Sequence, residues 1–189
     1  MIAGIDYSLS SPAICVSNGA LQPSTDFEKT SISYLTQGRK FEGRLFNMTG
    51  LPMPAYSSQQ ERYELIADWA IERVSGCSLV VLEDYSFGST GRVFHIAENA
   101  GLLKYKMYKK GLPFVTIAPT IIKKFATGKG NANKELLNET FISETKLDIK
   151  SMLDQTDKQW NPSSDIIDAY YMCRYGIEHY EALCEQIHS

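Results

Sequence analysis

The chain has 189 residues, 43% of them hydrophobic and 22% charged, enough apolar material for one core of medium size. This excludes a disordered chain, a collagen-like repeat and a disulfide scaffold. The net charge of −3 conceals a segregation: residues 92–150 hold eleven of the 19 Lys and Arg against five of the 22 acids, net +6, leaving net −9 elsewhere. Such a segment forms either a basic face for phosphates or two ordinary solvated helical faces.

Met1–Tyr7 is a short apolar run ending at an aspartate, and Pro12–Ser17 is a second, followed by Asn18-Gly19, a tight-hairpin signal. A third strand is predicted within Phe27–Leu35, where Thr30, Ile32 and Tyr34 alternate with serines. Residues 36–56, rich in Gly, Pro and polar side chains, receive no regular element. Tyr63, Ile66, Ala67, Ala70 and Val74 recur at three and four, which predicts a helix over Ser57–Val74 stopped by Gly76.

Ser78–Leu82 is continuous and β-branched at its middle, the pattern of a strand covered on both faces, and it leads into Glu83. Helices are predicted over Phe94–Lys110, Pro119–Phe125 and Asn133–Glu144, with a strand at Pro113–Ile117 and a last helix from Ser164 to Leu183. Antiparallel strands first, then strands and helices in alternation, predict an α/β fold: a mixed sheet with helices on both faces, as a single domain over 1–189.

No apolar run reaches the roughly 18 residues of a membrane helix, and Met1 leads into a strand rather than a charged leader, so a soluble, unexported protein is expected. Cys15, Cys77, Cys173 and Cys184 lie far apart, without zinc-ligand spacing, and are expected to be free thiols of a reducing cytoplasm.

Asp6 and Glu83 each end a predicted buried strand, at the sheet edge where open α/β folds place their ligands, although acids at strand ends also cap turns. Asp165 and Asp168 lie three apart on one face of the last helix. Ser163, Ser164 and Asp165 are also ordinary capping residues, but Asp168 sits among Ile166, Ile167, Ala169, Tyr170 and Met172, where a purely structural helix stays apolar.

If the four acids meet, each like-charge pair near 4 Å costs about 4 kcal/mol at an effective dielectric of ~20, which a cation would relieve. Oxygen-only ligands favour Mg²⁺, with Mn²⁺ as a substitute, and two ions suit phosphodiester hydrolysis. Lys123, Lys124, Lys129 and Lys134 form a track able to position phosphates. Gly128 and Gly130 suit either a phosphate approach or plain turn geometry.

Four stretches resemble the RuvC-like Holliday junction resolvases of the ribonuclease H-like superfamily. They are Ala3-Gly4-Ile5-Asp6-Tyr7-Ser8, Val80-Val81-Leu82-Glu83, the lysine- and glycine-bearing run from Ala118 to Lys134, and Ser164-Asp165-Ile166-Ile167-Asp168-Ala169. The resemblance implies a ribonuclease H-like fold and Asp6, Glu83, Asp165 and Asp168 as ligands of two Mg²⁺. It also implies Lys123 and Lys134 as basic partners of the scissile region, and a homodimer that nicks opposed strands of branched DNA in the cytoplasm of a bacterial or phage-infected cell.

Tyr85 and Phe87 stand near the family's junction wedge; with Phe94 they suit base stacking or a core position. Three other readings compete: a ribonuclease H-like nuclease on RNA or RNA–DNA, a non-catalytic DNA-binding module, and half of an actin-like ATPase. The last needs a second such domain.

Overall fold

The computed structural model describes residues 1–17, 19, 26–84 and 93–188. Its centre is a seven-stranded mixed sheet. The strands are β1 (Ile2–Asp6), β2 (Ala13–Ser17), β3 (Thr30–Thr36), β4 (Gly43–Leu45), β5 (Met48–Pro52), β6 (Leu79–Glu83) and β7 (Phe114–Ile117), in the order β4-β5-β3-β2-β1-β6-β7. The helices are α1 (Gln59–Val74), α2 (Val93–Lys109), α3 (Pro119–Thr127), α4 (Lys134–Thr145), α5 (Ile149–Met152), α6 (Ser163–Glu178) and α7 (Tyr180–His188).

β1, β2 and β3 pair antiparallel in turn, while β6 lies parallel to β1 and β7 parallel to β6. Side-chain alternation gives the sheet two cores. Ala3, Ile5, Val80 and Leu82 join α1 and α2 on one face through Ile66, Ala70, Leu103 and Met107. Val81 and Cys15 join the other, beneath Ile122 of α3, Phe141 of α4 and Ala169, Tyr170 and Cys173 of α6.

Gly4 determines how closely α6 approaches. A Cβ there would run into the backbone of Ala169 and Cys173, so glycine lets the helix lie directly on β1. Nearer the end of α6, a Cβ on Gly176 would meet Val81 at 2.7 Å and Ile2 at 2.9 Å. Ala169 therefore lies over Gly4 and Gly176 over Ile2, so the helix runs antiparallel to β1 and its first turn stands at the carboxyl end of the central strands.

Three expectations are corrected. First, Asn18-Gly19 does not close a two-residue hairpin: Ser17 pairs with Thr30, and the connection spans residues 18–29, ending in a 3₁₀ turn at Phe27–Lys29 that buries Phe27. Second, residues 36–56 hold a 3₁₀ turn at Arg39–Phe41 and two strands. From β3 the chain passes to β4 at the sheet edge and returns as β5, parallel to β3, so the parallel pairs are not confined to the later strands. Buried Phe41 and Met48 hold this addition to the core.

Third, the last helix is broken at His179, whose ring stacks on Tyr175 at 4.1 Å. The break turns α7 so that Leu183 is buried beside β7. Cys15, Cys77 and Cys173 are buried free thiols, and Cys184 is a half-buried one. Among the described residues no helix is long and apolar enough to cross a membrane.

Candidate active site

Strand register alone brings the first two acids together. Gly4 pairs with Val81 and Ile5 with Leu82, so one further step sets Asp6 beside Glu83. Both share the parity of Gly4 and Val81, which directs them to the α6 face. The antiparallel lie of α6 then delivers Asp165 and Asp168 from its first turns to the same strand ends. The four acids share one neighbourhood, and the charges of Asp165, Glu83 and Asp168 all act on Asp6.

This gathering carries an electrostatic cost. Burial, then the Asp165, Glu83 and Asp168 charges, holds Asp6 well above the usual carboxylate range, and a hydrogen bond to Asp165 keeps a proton on Asp6. Burial foremost also raises Glu83, with Asp165 adding to it, against the opposing pull of Lys123 and Lys134. Burial, then Glu83 and Asp165, pushes Asp168 up to about 7.

Asp165 is 5% exposed and raised by burial, but it is the best supported of the four. Asn161 Nδ2 donates to Asp165 Oδ2 at 2.7 Å and to Ser11 Oγ at 2.7 Å, and Ser11 in turn bonds Asp165. The capping alternative for the acids of this helix is thereby decided. α6 has no side-chain N-cap, and Asp165 accepts from Asn161 and Ser11 instead of closing the helix end.

Lys123 and Lys134 come to the acids from α3 and α4, which both pack on α6. With Glu83, Asp168 and Asn133 they line a hollow of about 180 Å³, and Lys134 Nζ donates to Ser164 Oγ at 3.3 Å. Lys124 turns away, lining a separate hollow with Phe125, Tyr175 and His179, and Lys129 is exposed in the loop between α3 and α4. Gly128, with φ of 77°, closes α3 as a left-handed cap whose N–H bonds Lys124 O, so its role is turn geometry.

Among the described residues no three His, Cys, Asp or Glu side chains stand together as a ready-made metal cage. The acids are near enough to raise one another's pKa without being drawn to a single point.

No family model matches the chain, and no curated protein matches it. Solved structures do. Thermus thermophilus RuvC is similar over 96% of this chain and 95% of its own, with a TM-score of 0.59 and 15% identity. The chain has the RuvC resolvase fold. T. thermophilus RuvC in complex with a Holliday junction substrate aligns over 93% of this chain and 96% of that one, with a TM-score of 0.57 and 14% identity. Fowlpox virus resolvase in complex with substrate Holliday junction DNA aligns over 95% and 97%, with a TM-score of 0.51 and 16% identity.

On this RuvC fold Tyr85 and Phe87 fall outside the described residues, whereas Phe94 is 80% exposed, not in the core. Three polar residues near the acids escaped sequence reasoning. Ser11 and Asn161 sit in irregular segments with no periodic signature, and Asn99 lies on a helix where one Asn among apolar residues is unremarkable. Pro162, following Asn161 through a cis peptide bond, was the one local signal beside the acidic helix.

Proposed function

We propose that this chain is a metal-dependent, structure-selective endonuclease that cuts four-way or other branched DNA by paired phosphodiester hydrolysis. The observation that carries this reading is the convergence of Asp6, Glu83, Asp165 and Asp168, from two strands and a helix, with Glu83 and Asp168 lining a hollow shared with Lys123 and Lys134. Lys123 and Lys134 offset only part of the charge of these buried carboxylates, whose pKa values stay raised, and their oxygen-only donor set fits a hard divalent cation. Asp6, Glu83, Asp165 and Asp168 would hold Mg²⁺, or Mn²⁺ in its place, and the ions when bound neutralise the charge of the phosphate and favour ionisation of water.

The remaining work falls to the protein's own groups. Asn161 and Ser11 fix the orientation of Asp165 by donating to it, and these hydrogen bonds favour its ionised form against the burial that raises it. Lys134 and Lys123 place positive charge opposite Glu83 and Asp168, where phosphate oxygens of a bound strand would gather. A homodimer follows from the chemistry, since two symmetric nicks need two sites related by a two-fold axis.

The test is a substrate panel: an end-labelled four-way junction beside flap, duplex, single-stranded and RNA–DNA substrates, with Mg²⁺ or EDTA. Mg²⁺-dependent nicks in the junction or flap, absent from duplex, are expected. Cleavage confined to RNA–DNA would replace the reading with a ribonuclease, and junction binding without cleavage in any metal would leave a binding module.

A further inference from the structure

Behind Asp6 and Glu83, on the face opposite α6, lies a further cavity that the hydrolytic reading leaves unused. Its volume is about 350 Å³, within the roughly 300–1,000 Å³ range of small-molecule sites. The segment 7–10, the end of β6 and the inner face of α2 enclose it; Leu9, Leu82, Ile96 and Leu103 supply apolar walls, and Asp6 and Glu83 stand at its margin.

Asn99 lines this cavity at 1% exposure, and its Oδ1 meets no donor. A buried acceptor left unmet costs about 1–3 kcal/mol. The free oxygen calls for an occupant that brings a hydrogen-bond donor. Internucleotide phosphates and deoxyribose offer no hydrogen-bond donor, whereas base edges carry N–H groups and flat apolar faces suited to leucine walls.

We infer that the cavity between β1, β6 and α2 receives one unstacked nucleobase of the strand being cut, beside the scissile phosphate, and that Asn99 determines base preference by accepting a hydrogen bond from its edge. The occupant is a base presenting a donor beside an acceptor, as the N6/N7 edge of adenine does, since a carboxamide offers the complementary pair. An unpaired nucleotide at a branch point enters at less cost than one stacked in duplex. The inference rests on the nuclease reading and adds a specificity contact to it.

The experiment measures cleavage of four-way junctions randomised around the cut, in Mg²⁺, by wild type, Asn99→Ala and Asn99→Leu, the last keeping the side-chain shape without polar atoms. Wild type is expected to favour one base at one position next to the cut by about tenfold, and both variants to cut with that preference flattened. Replacing the favoured nucleotide by an abasic one should slow wild type about as much as the Asn99 substitution does, and slow the variants no further. Asn99→Leu should not melt below wild type, because it removes the unmet acceptor while keeping the side-chain volume; a structural asparagine would lower the melting temperature of this variant too.

Unchanged preference in both variants, or abasic and Asn99 effects that multiply, would overturn the inference while leaving the nuclease intact. If wild type cuts no branched substrate, the nuclease reading falls and the base pocket falls with it.

Discussion

At the scale of single residues, the cleft is defined by groups that are uncomfortable in isolation. Burial and the Glu83 and Asp165 charges push Asp168 up to about 7, whereas a carboxyl in an unfolded chain loses its proton near 4. Between these values the ion-free folded protein keeps a proton that the unfolded chain has released, so raising the pH favours unfolding. In EDTA, this cluster should lower the melting temperature as pH rises from about 4 through about 7, and Asp168→Asn should remove much of that slope. Mg²⁺ should stabilise more at pH 8 than at pH 5, where it competes with protons; thermal melts at the two pH values test both statements. Asn161 acts through Asp165. Asn161→Ala withdraws donors from both Asp165 and Ser11, and should reduce kcat/KM for a branched substrate about 10- to 100-fold with the fold retained, as substitutions behind metal-binding carboxylates do; circular dichroism beside the kinetics separates this from unfolding.

At the scale of elements, the contact between β1 and α6 places everything else. Gly4→Ala drives a methyl into the backbone at Ala169 and Cys173, and should cost about 3 kcal/mol in urea unfolding, because neither helix nor strand has room to withdraw. Strands β1 and β6 were legible in the sequence as apolar runs ending in an acid. Helix α1 was legible through its three-and-four periodicity, and α2 to α4 through the residues that start and stop them. β4 and β5 were not, since short half-exposed strands rich in Gly and Pro acquire their conformation from pairing with β3, a non-local contact that leaves no local pattern. The break at His179 was hidden for a similar reason: apolar residues continue through it, and only the docking of Leu183 beside β7 requires the chain to turn. The acids stood out because charge interrupts apolar periodicity, whereas Ser11, Asn161 and Asn99 break no such pattern and became visible only through their surroundings.

At the scale of the whole molecule, charge and topology support one account. The acids come from the start, middle and end of the chain, and the sheet order β2-β1-β6 with α6 laid across it closes those distances. The basic segment 92–150 includes α3 and α4, which deliver Lys123 and Lys134 to the cleft, so part of the charge segregation has a structural outlet beside the acids. Paired incision requires two clefts; sedimentation should therefore find a species of twice the 21.2 kDa chain, and a strict monomer that still nicks both strands of one junction would contradict the dimer. The most direct measurement compares wild type and Asp6→Asn on a labelled four-way junction in Mg²⁺, with binding followed in parallel. Paired nicks by the wild type, and none by a variant that still binds the junction, are the predicted result; equal hydrolysis by the two proteins would contradict the carboxylate cleft as the seat of the chemistry.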